Sequence, residues 1–178
     1  MKFASIALAL CLSLAAAFAQ NTPPPNPSTT QPTFSLNASV LSLPGGNQTS
    51  AATDIGATFA VTNKLYLRSD NILAPAVNLS SYFGGVEYQL PTDKILAKTN
   101  LDPAHFQFYA TASLGQARIT VGSAAPQTHF AALAGGGVNY DPAGTGKFSL
   151  NLIEARWAKL PGLANSTIVV SSGLKLGF

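Results

Sequence analysis

Cysteine is nearly missing from this 178-residue chain: Cys11 is the single one, beside one Met (Met1) and one Trp (Trp157). A lone thiol can neither close an intramolecular disulfide nor build a thiolate cage, which excludes a disulfide scaffold and a Cys-ligated zinc module. Charge is scarce as well. Asp, Glu, Lys and Arg make up 10% of residues, and ten basic side chains face seven acidic ones. That balance, with the bases scattered, excludes the clustered positive surface a nucleic-acid partner needs. The two histidines, His105 and His129, have no acids spaced to form a metal cluster with them. After the apolar run from Phe3 to Phe18 no helical periodicity is sustained.

That run has a charged start, Met1-Lys2, and ends on Ala17-Phe18-Ala19, with small residues at −3 and −1. The pattern predicts a secretory signal over residues 1–19, cut before Gln20. The run is shorter than the roughly 20 apolar residues a spanning helix needs, and a polar stretch rather than a basic stop follows it. Cys11 follows the bulky Leu10, which does not suit lipidation, so it leaves with the signal. Without Lys2, nine bases remain against seven acids. Residues 20–33, with "NTPPPNPSTTQPT", offer nothing to bury and read as an extended leader.

From Phe34 to Phe178 the recurring signal is alternation with a period of two. Ile168, Val170, Leu174, Leu176 and Phe178 share one face, against Ser171, Gly173, Lys175 and Gly177 on the other. Ile55, Ala57 and Phe59 oppose Asp54, Gly56 and Thr58; Leu65 and Leu67 oppose Tyr66, Arg68 and Asp70; Phe106, Phe108 and Ala110 oppose Gln107, Tyr109 and Thr111. In "KFSLNLIEARWAKL" Trp157 joins the apolar face of Phe148, Leu150 and Leu152 only if the phase slips near Ile153-Glu154, which predicts a β-bulge. Eight strands are expected, at 34–43, 52–62, 65–73, 79–90, 105–119, 129–140, 148–160 and 166–178, separated by Gly, Pro and Asn breakers. Most approach the 9–11 residues a tilted strand needs to cross a bilayer, and an even number closes a meander whose neighbours all pair antiparallel.

A soluble barrel would turn its bulky apolar face inward and coat the other face with Lys and Glu. Here the second face is Ser, Thr, Asn, Gln and Gly with an occasional charge, which suits the crowded interior of an eight-stranded barrel. Aromatic residues gather near strand ends, at Phe34, Tyr88, Phe106, Tyr140, Phe148, Trp157 and Phe178, where rings meet the headgroup level of a membrane. The expected fold class is therefore all-β, an up-and-down antiparallel eight-stranded transmembrane barrel.

The terminal "SSGLKLGF" resembles the assembly signal of bacterial outer-membrane barrels, with Ser171, Gly173, Leu176 and Phe178 in its polar, glycine, hydrophobic and terminal aromatic places. The preceding "GGGVNYDPAGTGKFSLNLIEARWAKL" is similar to the penultimate hairpin of small OmpA-like barrel domains. Asn151 stands where that hairpin often has a base, and Arg156 where it often has an acid. The resemblance to this family of small eight-stranded outer-membrane β-barrels covers Phe34 to Phe178 and is strongest toward the C-terminus. It implies the outer membrane of a Gram-negative-type bacterium reached by Sec secretion, contact with outer-membrane lipid, insertion by the barrel-assembly machinery, and both termini in the periplasm.

Some barrels of this size are lipid A-modifying enzymes that use a His with a Ser or an acid, so His105, and His129 with Ser123 or Thr128, are the side chains to weigh. A nucleophile needs an oriented base within hydrogen-bond reach, which nothing in their spacing ensures. "AGGGVNY" is not followed by a helix and is no phosphate loop. No catalytic residue, cofactor or metal site is expected. The inward face gathers Asp54, Arg68, Asp70, Glu87, Glu154, Arg156 and Lys175. Charges in so narrow a space must pair or stay wet, which predicts a salt-bridged plug rather than a selectivity constriction. Three roles stay open: a structural or surface-interaction barrel whose connections near 44–51, 74–78, 120–128 and 161–165 face outward, a narrow pore, and a lipid-modifying enzyme.

Overall fold

The computed structural model describes residues 32–43, 48–120, 125–161 and 164–178. The expected signal and all of the leader before Pro32 lie outside them. The alternating segments form eight strands: β1 (Thr33–Leu43), β2 (Gln48–Ala60), β3 (Leu65–Ala74), β4 (Leu79–Gln89), β5 (Phe106–Ile119), β6 (Gln127–Tyr140), β7 (Phe148–Leu160) and β8 (Ala164–Gly177). Each pairs with its sequence neighbour, and β1 pairs antiparallel with β8, so the sheet closes into a barrel and no strand edge is left free.

Because the chain reverses at every connection, Pro32, Phe178 and the connections 61–64, 90–105 and 141–147 share one end, the terminal end. The other four connections share the hairpin end. The expected outward connections at 44–51, 120–128 and 161–165 are too wide, since Gln48–Ala51, Gln127–Thr128 and Ala164–Asn165 belong to strands. Their short polar side chains look like turn residues, but a backbone ladder to a paired neighbour continues whatever side chains it carries. The connection 90–105, expected as an irregular breaker, holds a short helix α1 (Thr92–Leu96) and a 3₁₀ turn at Pro103–His105. The Asp102 carboxylate caps that turn by accepting from the Ala104 N–H at 2.9 Å.

The predicted bulge is present in β7. Val138 faces Ile153 while Asn139 faces Asn151, so Leu152 is the extra residue. Leu152 and Ile153 both point outward, and Glu154 returns to the interior. This slip is what sets Trp157 outside and Arg156 inside.

Leu36, Val40, Leu67, Val86, Leu114 and Ile168 are all exposed on the outer surface. Phe148 and Trp157 mark the two limits of that apolar surface on β7. At ~3.3 Å per residue and a tilt of ~40° they stand roughly 20–23 Å apart in height, close to the ~25 Å apolar band of a membrane barrel.

The interior departs from the expectation of a polar lumen throughout. Toward the hairpin end the inward positions are apolar: Leu41, Ile72, Leu79, Phe83, Leu133 and Leu160 are each at most 4% exposed and form one cluster. On several strands the alternation there is reversed, with Leu79, Ile119 and Leu160 inward beside the outward Ser80, Arg118 and Lys159. Alternation identifies a polar face only where polar residues occupy it, and β1, β3 and β7 lose them in their last turns before the hairpins.

Candidate functional site

Between this apolar cap and the terminal end, the barrel axis is filled by charge. The structure places all seven of the expected lumen charges inside the barrel and brings them into one network. Arg68 and Asp70 are two apart on β3 and therefore share a face. The Arg68 Nε donates to both Asp70 oxygens at 2.9 Å. Its Nη1 lies 3.2 Å from Glu87 Oε2 on β4 and 2.7 Å from Glu154 Oε1 on β7. One guanidinium thus serves three carboxylates.

Arg156 on β7 makes a close ion pair with Asp54 Oδ2 and lies 3.4 Å from Asp70 Oδ1. Lys175 on β8 donates to Glu87 Oε1 at 3.0 Å. Arg68 and Arg156 are no more than 5% exposed at the side chain, whereas Lys175, nearest the terminal end, is 11% exposed. In such seclusion each charge needs its partner, because an unpaired one forfeits hydration without return. Arg156 stands where the resembling hairpin often has an acid, and it finds its acids on β2 and β3 instead. Asn151, where a base is frequent, donates through Nδ2 to Asn37 Oδ1 at 3.2 Å.

The long charged side chains fit because glycines face them across the ladder. Arg68 pairs with Gly85, Asp70 with Gly56, Glu154 with Gly137 and Arg156 with Gly135. The sequence reading missed this use, although glycine opposite charge is a legible signal once register is known. It also missed Tyr109, buried to 3% exposure, whose ring lies over Gly137. A Cβ at Gly137 would come within 2.6 Å of the Tyr109 hydroxyl. The ring takes Arg68 at 5.9 Å and Lys175 at 5.7 Å from its centroid, both within cation–π reach.

Of the C-terminal motif, Ser171 points inward and shares a hydrogen bond of 2.8 Å with Ser39. Gly173 pairs with Asn37, Leu176 faces outward, and the exposed Phe178 donates its N–H to the Pro32 carbonyl at 3.0 Å. The histidines are not brought together: His105 sits at the terminal end and His129 near the hairpin end of β6. His105 Nδ1 lies 2.8 Å from the Asp141 carbonyl oxygen. Thr128, next to His129 on the strand, faces the opposite side of the sheet, and Ser123 lies outside the described residues.

No protein-family model and no curated protein matches the chain. Solved structures do match. Neisserial surface protein A (NspA) aligns with a TM-score of 0.55 at 17% identity, covering 83% of this chain and 96% of that one. The N-terminal β-barrel domain of Pseudomonas aeruginosa OprF aligns with a TM-score of 0.54 at 15% identity, covering 84% of this chain and all of that one. At these identities the likeness is one of fold: this chain has the closed eight-stranded architecture of the small outer-membrane barrels.

Proposed function

We propose that this protein is an outer-membrane barrel of a Gram-negative-type bacterium with a lumen closed to solutes, serving a structural or surface-contact role rather than transport or catalysis. The observation that supports the reading is the set of side chains inside the barrel, with an apolar cap at one end and a network of paired charges beneath it. Eight strands leave space only for their own side chains, and here both signs of charge and a set of Leu, Ile and Phe occupy it. The apolar outer surface and its aromatic limits support the membrane setting. The fold shared with NspA and the OprF barrel supports the outer membrane in particular.

In this reading residues 1–19 direct Sec secretion, residues 20–32 form a periplasmic leader that ends where Thr33 opens β1, and Ser171, Gly173, Leu176 and Phe178 present the last strand to the barrel-assembly machinery. Membrane fractionation with an electrophoretic heat-modifiability assay tests it. The protein is expected in the outer-membrane fraction, and its gel mobility should change on boiling, since a sheet without edges resists detergent until heated. Recovery as a soluble periplasmic protein without detergent would overturn the reading.

A further inference from the structure

All seven acids of the chain lie away from the hairpin end. Asp54, Asp70, Glu87 and Glu154 belong to the lumen network, and Asp93, Asp102 and Asp141 to the terminal-end connections. Among the described residues two charged side chains point outward from strands, and both are bases: Arg118 on β5 and Lys159 on β7, each exposed near the hairpin end. Neither has an ionic partner among the described residues.

Strand β6 runs between them, with Arg118 beside Thr128 and Lys159 beside Ala132. They are thus ~13 Å apart along the strand direction and ~10 Å apart across it. Strand tilt nearly cancels the difference in height. Crossing the ladder from Asn37 through Asp54, Ile72, Ser81 and Ala117 to His129 climbs from the middle of β1 to the hairpin end of β6, so a step from β5 toward β7 also climbs. At a tilt of ~40° the two bases stand roughly 4 Å apart in height and ~16 Å apart around the wall. Phe130, 67% exposed, lies between them. Lys159 is the next outward residue past Trp157, the limit of the apolar surface on β7, and rises about 5 Å above it, into the headgroup layer. The Trp157 ring is fixed by its Nε1 donating to the Ser166 hydroxyl at 2.6 Å. Below Phe130, β6 presents only Ala132, Ala134 and Gly136 outward, between Leu114 on β5 and Trp157 on β7, which leaves a shallow trough at acyl-chain depth.

We propose that this rim holds a bilayer lipid with a net anionic phosphate headgroup, which Arg118 and Lys159 approach from either side while an acyl chain lies in the trough. Two unpaired bases at one level, with every acid of the chain elsewhere, give the charge complementarity. A zwitterionic headgroup brings its own cation to the phosphate and has less to gain from them. A water-soluble anion would meet the same bases but leave Phe130 and the trough uncovered. This lipid site rests on the membrane setting proposed above and is independent of whether the lumen conducts.

Trp157 is the single tryptophan of the chain, so its fluorescence reports which lipid lies beside the rim. The purified protein is reconstituted in phosphatidylcholine vesicles that hold a small fraction of either acyl-brominated phosphatidylglycerol or acyl-brominated phosphatidylcholine, because bromine quenches indole at short range. The anionic lipid is expected to be enriched at Trp157 about tenfold over the zwitterionic one. Arg118→Gln and Lys159→Gln should each lower this preference about threefold to fivefold, and together remove it. Lys98→Gln, in the terminal-end connection 90–105, should leave it unchanged. Heat-modifiable mobility of each variant confirms that it is folded. Equal quenching by the two brominated lipids, or an undiminished preference in the folded double variant, overturns the lipid site and leaves the membrane setting standing. Quenching by neither lipid overturns both. Displacement of the anionic lipid by inorganic phosphate, beyond that by chloride at equal ionic strength, would assign the two bases to a free anion and also overturn the proposal.

Discussion

The residue that organises the interior is Arg68, because three acids from three strands depend on it. Replacing it by Ala leaves Asp70, Glu87 and Glu154 short of their common cation in a space with little water. Breaking a buried ion pair from one side typically costs about 3–5 kcal/mol, and Arg68→Ala should fall at or above that range. Lys175 has one acidic partner and some solvent access, so Lys175→Ala should cost only about 1–2 kcal/mol. Denaturant unfolding in detergent micelles checks this order, and equal losses for the two variants would mean the network is not centred on Arg68. That these charges point inward is legible in the sequence, since the opposite face of each strand is apolar. Which acid meets which base is not. The contact from Arg68 on β3 to Glu154 on β7 crosses the barrel, and such contacts follow from the stagger of strands around the closed sheet, which no local pattern records.

At the scale of the element, β7 shows how one residue sets the faces of a whole strand. Leu152 is extra to the ladder, so deleting it should leave every remaining residue on its present face, with Ile153 facing Val138 and Asn151 facing Asn139 as before. Deleting Ala155 instead would shift phase below the bulge and exchange the faces of Arg156 and Trp157 relative to Glu154. The expected outcome is a heat-modifiable, folded barrel for the Leu152 deletion and loss of that folded band for the Ala155 deletion. If both fold or both fail, the bulge does not set the phase. The bulge is readable in the sequence because Trp157 and Arg156 fall on the wrong faces without it. The starts of β2, β6 and β8 are less readable, because Gln48, Thr49 and Gln127 carry no side-chain signal that distinguishes a paired strand from a turn. The inward Leu41 and Ile72 are hidden for a related reason: they adjoin the outward Val40 and Leu73, and a stretch apolar on both faces has no alternation to read.

Across the whole molecule, the cap and the ion network lie one above the other along a single axis, so under the proposed closed lumen they would oppose passage in series. Under the proposed closed lumen, the cap would exclude water through its packed Leu, Ile and Phe side chains and the network through its paired groups across the bore. A solute must cross both, and relieving one leaves the other in place. The wild-type protein should therefore show no regular conductance steps in planar bilayers. Phe83→Ala with Leu133→Ala should thin the cap at a substantial stability cost, about 2–5 kcal/mol for each truncation, yet still conduct nothing. Glu87→Ala with Lys175→Ala should loosen the network near the terminal end and also conduct nothing. Only the four changes together should give reproducible steps, provided the protein keeps its heat-modifiable mobility. Steps from the cap variant alone would locate the entire barrier in the apolar layer, and steps from the network pair alone would locate it among the charges. Steps from the wild type would replace the closed barrel with a narrow pore.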